Sequence, residues 1–150
     1  MSAKLTLDIA SGIASIFEGL FLKPYRCPAN VPTIGRGSTR YPGGRKVTMQ
    51  DPPITKEKAD ELLSWEMNKS VMQAVKYCPG LIVSDNRWGA IADFVYNLGP
   101  GALQCSTLRR KINQGDYEGA KRELIKWVRG GGRILPGLVK RRTVEASLIG

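Results

Sequence analysis

Apolar residues near the start of the chain recur at a spacing of three and four. Leu5, Ile9, Ile13, Ile16, Phe17 and Leu20 fall on one helix face, and Ser11 and Ser15 on another. This pattern predicts a short amphipathic helix, ended by Gly19 in the left-handed conformation. A longer helix is predicted from a Thr55 cap, with Glu57 in its first turn, to about Tyr77, where Cys78-Pro79-Gly80 stops it. Ala59, Leu62, Leu63, Met67, Val71 and Val75 mark its buried face. A third helix, from 85 or 86 to 98, turns Trp88, Ile91, Ala92, Val95 and Tyr96 inward and stops at Gly99-Pro100-Gly101. Shorter helices are expected over 106–113, 116–128 and about 138–148, with a mobile loop at Gly130-Gly131-Gly132.

Between the first two helices the pattern changes. Pro24, Pro28 and Pro32 exclude a continuing helix, residues 31–34 lead as a short strand into Gly35-Arg36-Gly37, and Val47 and Met49 alternate with polar neighbours. The expected class is α+β, mainly helical, with a small antiparallel sheet lobe over about 20–54. A helical lobe takes about 55–150 together with the N-terminal helix, and the long helix joins the two. A cleft between two lobes suits a polymer substrate.

Composition narrows the reading. The 150 residues fit one domain, and 42% hydrophobic content is enough for a real core. With 23 basic and 13 acidic residues, the net charge is +10, which draws the chain toward polyanions such as nucleic acid, anionic lipid or bacterial wall. Arg36, Arg40, Arg45 and Lys46 gather in the sheet lobe, either to bind anionic groups or as solvated surface. Lys4, Asp8 and Glu18 interrupt the N-terminal apolar residues long before a bilayer's width, so neither a membrane span nor a signal peptide is expected. Cys27, Cys78 and Cys105 form an odd set without CxxC spacing, and no His is present. No zinc site, other metal or cofactor is expected, and reduced thiols are the default, with one disulfide left open.

The stretch from Phe17 to Ser38 holds the most suggestive chemistry. Glu18 is expected in the last turn of the first helix, where the carbonyl ends and the apolar Phe17, Leu20 and Phe21 both favour its protonated form. A carboxyl group that keeps its proton near neutral pH is what a general acid requires. Glycines 35 and 37 leave the backbone of the following strand open to close approach.

The order Glu18-Gly19-Leu20, Lys23, Tyr25, Cys27 and Thr33-Ile34-Gly35-x-Gly37 resembles the catalytic segment of the phage lysozyme family, the endolysins that cut peptidoglycan. Later segments resemble it in the same order: residues 93–99, reading Asp-Phe-Val-Tyr-Asn-Leu-Gly, then Ser106-Thr107-Leu108 with residues 113–117. Trp127, Gly130, Gly131, Gly137-Leu138 and Arg141-Arg142 with Glu145 complete the set. The resemblance implies a lysozyme-like fold and a monomeric muramidase that needs no cofactor. It also implies accumulation in the host cytoplasm, release through a pore made by a separate holin, and action on the wall in the periplasm.

By the same resemblance, the family's catalytic glutamate falls on Glu18, its usual aspartate on Cys27 and its threonine on Thr33. Gly35, Gly37 and Asn97 are the candidate substrate-binding positions; Arg141 or Arg142 can hold Glu18 by a charge-assisted bond, or the pair can be solvated, as is usual on a terminal helix. Asn97 also has a structural reading, as a buried amide whose hydrogen bonds must be met. Cys27 departs from the family's usual pattern, although some members carry Cys there. It can act as a thiolate, place a water, or leave Glu18 to work almost alone, which opens a lytic transglycosylase-like outcome. Ser38 stands where the family often has His. The alternative from another class is a basic nucleic-acid-binding module, against which stand the scattered basic residues and the absence of any helix-turn-helix or aromatic nucleic-acid motif.

Overall fold

A computed structural model describes residues 3–150. The chain is mainly helical. Helix α1 spans Ala3–Phe17, α2 Lys56–Tyr77, α3 Asp85–Leu98, α4 Pro100–Gln104, α5 Thr107–Asn113, α6 Tyr117–Leu124 and α7 Pro136–Ser147. Two antiparallel strand pairs complete it: β1 (Phe21–Arg26) with β2 (Pro32–Gly35), and β3 (Arg129–Gly130) with β4 (Arg133–Ile134). Two compact units emerge. One is residues 15–66; the other combines Met67–Gly150 with the N-terminal residues through Ala14, so α1 and α2 each contribute to both.

The boundaries follow from local chemistry. Thr55 accepts the Lys58 N–H on its hydroxyl at 3.0 Å and so opens α2. Ser84, Ser106 and Asp116 do the same for α3, α5 and α6. Pro79 ends α2 as expected, but the chain then tightens into a 3-10 turn over Pro79–Val83. Gly99, at φ +90°, turns the chain directly into the short α4, which the Gly-Pro-Gly pattern had concealed.

Three expectations are corrected. The buried face of α1 consists of Thr6, Ala10, Ile13 and Ala14, whereas Leu5, Ile16 and Leu20 are exposed. Small residues face inward there because α3 comes very close: a Cβ on Gly89 would stand 2.5 Å from a methyl of Ile9. The Gly130-Gly131-Gly132 run is a tight hairpin rather than a mobile loop. Gly131 and Gly132 both take positive φ, the pair of mirror-image conformations that a two-residue hairpin turn demands. Helix α6 stops at Leu124, short of the expected 128, because the chain must turn to enter β3.

In the 15–66 unit the core is small: Ile34, Val47 and Leu62, with Tyr41 and Ile54 packed against them. Strand β2 is backed by this cluster, and Thr33, Ile34 and Gly35 are all buried. Removing Ile34 to Ala would cost about 2–5 kcal/mol by the usual scale for buried aliphatic truncations. The hairpin that carries the candidate residues is therefore anchored on one strand and open on the other.

Candidate active site

The site grows out of the turn between α1 and β1. Helix α1 ends at Phe17, so Glu18 follows the last turn rather than occupying it. Gly19 is not among the residues with positive φ, so it does not end the helix in the left-handed way expected. Its lack of a side chain serves packing instead, because a Cβ there would lie 2.9 Å from the Phe21 ring. Phe21 in turn stacks at 4.2 Å on Tyr25 along β1, across the irregular pairing around Pro24.

Glu18 is half-buried, and the backbone opposite it is glycine. A Cβ placed on Gly37 would stand 3.5 Å from Glu18 Oε2. Gly37 is at φ +96° and Gly35 at φ +68°, and a side chain at 35 would press on Ala59 at 3.2 Å. The two glycines thus have different reasons. Gly35 lets β2 lie against α2, and Gly37 lets the turn fold back beside the carboxyl group.

Arg36, between them, is the residue that sequence reasoning misplaced. It is neither an anion binder nor a solvated cation. Its Nε donates to Asp60 Oδ1 at 2.6 Å and its NH1 donates to the Ser15 carbonyl at 3.0 Å. That carbonyl belongs to the last turn of α1, where backbone acceptors lack helical partners. Arg36 therefore clamps the end of α1, three residues before Glu18, to the first turns of α2. The Arg36 hydrogen bond, followed by that of Lys56, holds the Asp60 carboxyl below its ordinary range.

Cys27 begins the turn between β1 and β2. Its carbonyl accepts from Asn30 N–H at 2.7 Å and its N–H donates to Val31 O at 3.1 Å, while Asn30 takes the positive φ that closes the loop. Pro28 fits the second position of such a turn, and a side-chain acceptor at the first can cap the free amides that follow. The thiol's pKa is lowered accordingly: the Val31 amide favours the thiolate most, then Ala29, the Thr33 hydroxyl and the residue's own amide, against some burial. An aspartate at this position would gain the same bonds.

Thr33 lies opposite Tyr25 in the β1–β2 register and is 2% exposed. Its hydroxyl donates to Val31 O at 2.8 Å. A single hydroxyl proton serves one acceptor at a time, so ionisation of Cys27 draws it from that carbonyl toward the sulfur. The Tyr25 phenol is raised above its usual pKa by burial and then by the charges of Cys27 and Glu18, which places all three groups in one electrostatic neighbourhood. Tyr25 was legible only as part of a motif; nothing in its spacing announced this position. Ser38 is fully buried and exchanges both backbone hydrogen bonds with Ile34 at 2.9 Å. Among the described residues no His, Cys, Asp and Glu side chains converge as a metal-holding group.

The remaining candidates lie in the other unit, where they form a buried polar network. Arg141, 3% exposed, grips Asp93 with two bonds, Nε to Oδ2 at 2.9 Å and NH2 to Oδ1 at 2.7 Å. Arg142 is fully buried and donates to Asn97 Oδ1; its Nε lies 3.1 Å from Glu145 Oε1, off the line of a good hydrogen bond. Its guanidinium also sits 5.1 Å from the centre of the Phe94 ring, which meets Trp127 edge-on. Burial first, and then the adjacent Asp93 carboxylate, push Glu145 well above the usual carboxylate range. Neither arginine is the solvated surface cation that a terminal helix suggests, and Asn97 is engaged by Arg142.

The family model for phage lysozyme matches residues 15–145. This chain belongs to the phage lysozyme family. It is 37% identical over 136 residues to the endolysin of Acyrthosiphon pisum secondary endosymbiont phage 1, covering 88% of each chain. To the SAR-endolysin of Bacteriophage PS119 it is 38% identical over 131 residues, covering 87% of this chain and 75% of that one. Among solved structures, the endolysin from Escherichia coli O157:H7 phage FAHEc1 superposes with a TM-score of 0.80 at 29% identity, over 94% of this chain and 90% of the other. Membership makes the chain an enzyme, a lysozyme, and the lysozyme-like α+β class expected from the sequence holds. No described helix is long and apolar enough to cross a membrane.

Proposed function

We propose that this lysozyme hydrolyses the β-1,4 bond between N-acetylmuramic acid and N-acetylglucosamine in peptidoglycan, with Glu18 as general acid and Cys27 and Thr33 activating water. The observation that carries this reading is the seat of Glu18. Its carboxyl oxygen faces the bare backbone of Gly37, and Tyr25 senses both it and the ionisation-prone thiol of Cys27. Glu18 gives its proton to the glycosidic oxygen as the C1–O bond breaks. A water held by the Thr33 hydroxyl attacks C1 and passes its proton to the Cys27 thiolate, and solvent returns both groups to their starting states. Gly35 and Gly37 offer backbone without side chains for a sugar ring to approach, while Asn97, Arg141 and Arg142 keep the helical interior in order. The enzyme works as a monomer, accumulates in the host cytoplasm, and reaches the wall through a pore made by a separate holin.

Two measurements test the scheme. Cys27→Asp keeps or improves clearing of outer-membrane-permeabilised Gram-negative cells, whereas near-normal rates in Cys27→Ser remove the thiolate from the mechanism. Mass spectrometry of the released muropeptides shows reducing ends; anhydro-muramic ends assign the reaction to transglycosylation by Glu18 instead.

A further inference from the structure

Strand β1 is longer than its pairing with β2 requires. Phe21 stands opposite Gly35 and Tyr25 opposite Thr33, so four steps of β1 cover two steps of β2, and the excess bulges out between them, where Pro24 lies. In a regular strand, residues four apart stand about 13 Å from each other. Here the Phe21 and Tyr25 ring centres are 4.2 Å apart, with the rings tilted by 36°. The bulge thus re-aims two side chains into one continuous aromatic surface. Leu22 O accepts the Ile54 N–H at 2.8 Å, which fastens the bulged stretch to the segment that enters α2.

That surface lies beside the acid. Gly19 follows Glu18 directly, and the Phe21 ring packs on it so closely that a Cβ there would not fit. Tyr25 reaches the other groups: burial first, and then the charges of Cys27 and Glu18, raise its phenol. Phe21 is 48% exposed, and the residue opposite it, Gly35, has no side chain to cover its ring. A large aromatic face left open next to the candidate catalytic groups, on a strand fastened by backbone bonds, is a preformed seat for a flat apolar ligand surface. Sugars have such a surface. A β-linked pyranose with equatorial substituents turns its axial C–H bonds to its two faces, and these meet the electron-rich face of an aromatic ring.

We infer that Phe21 and Tyr25 form a stacking platform for the N-acetylglucosamine ring that leaves with the oxygen protonated by Glu18. The alternate sugar of the strand suits the platform less, because N-acetylmuramic acid carries its lactyl ether and peptide on C3, where N-acetylglucosamine has only a hydroxyl. Holding the leaving sugar by its face keeps its O4 free to turn toward the Glu18 carboxyl. The contact is made with neutral C–H groups, so salt does not weaken it, in contrast to the general attraction of a +10 chain to an anionic wall. This inference rests on the proposed cleavage of peptidoglycan at Glu18 and names the surface that places its leaving group.

The test compares Phe21→Ala, Phe21→Leu and Phe21→Trp with the parent on peptidoglycan. In Phe21→Ala, KM rises about tenfold with kcat nearly unchanged, as for a contact of equal strength in ground and transition states. Phe21→Leu restores apolar bulk without a flat face and stays near the Ala value, whereas Phe21→Trp returns KM to the parental value or below. A parental KM in Phe21→Leu reduces the position to apolar packing, and an unchanged KM in all three variants removes the platform. A second arm needs no catalysis. In an NMR titration of the full-length parent with tri-N-acetylchitotriose, which has no lactyl group, peptide or charge, the aromatic ring current moves the axial C–H protons of a sugar ring upfield, and about 0.5 M salt leaves the shifts in place. Absence of the shifts in the parent, or their undiminished persistence in Phe21→Ala, overturns the inference. Shifts in a parent that clears no wall fault the hydrolase reading alone.

Discussion

The two units of this lysozyme each gather carboxyl and cationic groups, and they treat them in opposite ways. In the 15–66 unit, Glu18 and Cys27 are half-buried and set against bare glycine or turn amides. In the other unit, Asp93, Arg141, Arg142 and Glu145 are sealed from solvent and face one another. The second arrangement helps hold α7 against α3. Burial of charge marks architecture here, and the proposed chemistry lies where exposure is partial and the backbone is open.

The contrast is broken most sharply at Glu18. Glu18→Gln keeps shape and removes the proton, and clearing activity falls about 10³-fold while circular dichroism and Tm stay at parental values; retained activity moves the acid elsewhere. Asp93→Ala behaves in the reverse sense. It strands the Arg141 guanidinium in the interior and costs about 3–5 kcal/mol, read as a large drop in urea midpoint. Unchanged stability would deny the network its structural role.

Smaller effects sharpen the comparison. Gly37→Ala forces an alanine into positive φ at about 1–2 kcal/mol and shifts the backbone beside Glu18, so kcat falls about tenfold with only modest loss of Tm. A parental kcat would show that the turn does not position the acid. Glu145 supplies the mildest test. Its folded pKa lies above the unfolded value, so the native state binds the extra proton and stability declines as pH rises from the ordinary carboxylate range through the raised value. Glu145→Gln removes that decline, and Tm measured upward in pH from the ordinary carboxylate range reports it as a flatter curve. An identical slope in both proteins would assign the proton to another group.

Much of this was legible in the sequence because local chemistry determined it. The Thr55 cap and the Cys78-Pro79 stop bound α2, and motif spacing is what nominates Glu18, Thr33, Gly35 and Gly37 for the proposed site. What failed depended on partners far along the chain. Leu5 and Ile16 look like core, yet the close approach of Gly89 to Ile9 gives the inner face to smaller residues. Arg141 and Arg142 look solvated, and only Asp93, Asn97 and Glu145 make their burial tolerable. Arg36 is the clearest instance, since no spacing rule says that a cation between two glycines will reach a helix end on one side and a carboxylate on the other.

That reach has a consequence for substitution at position 36. The guanidinium is a flat fork with donors on two edges, and here each edge has its own customer. A lysine would carry the same charge on a single tip, able to satisfy Asp60 or the Ser15 carbonyl but not both. The exchange most often regarded as harmless would therefore unfasten the tail of the first helix from its neighbour, and the acid three residues along would inherit the slack.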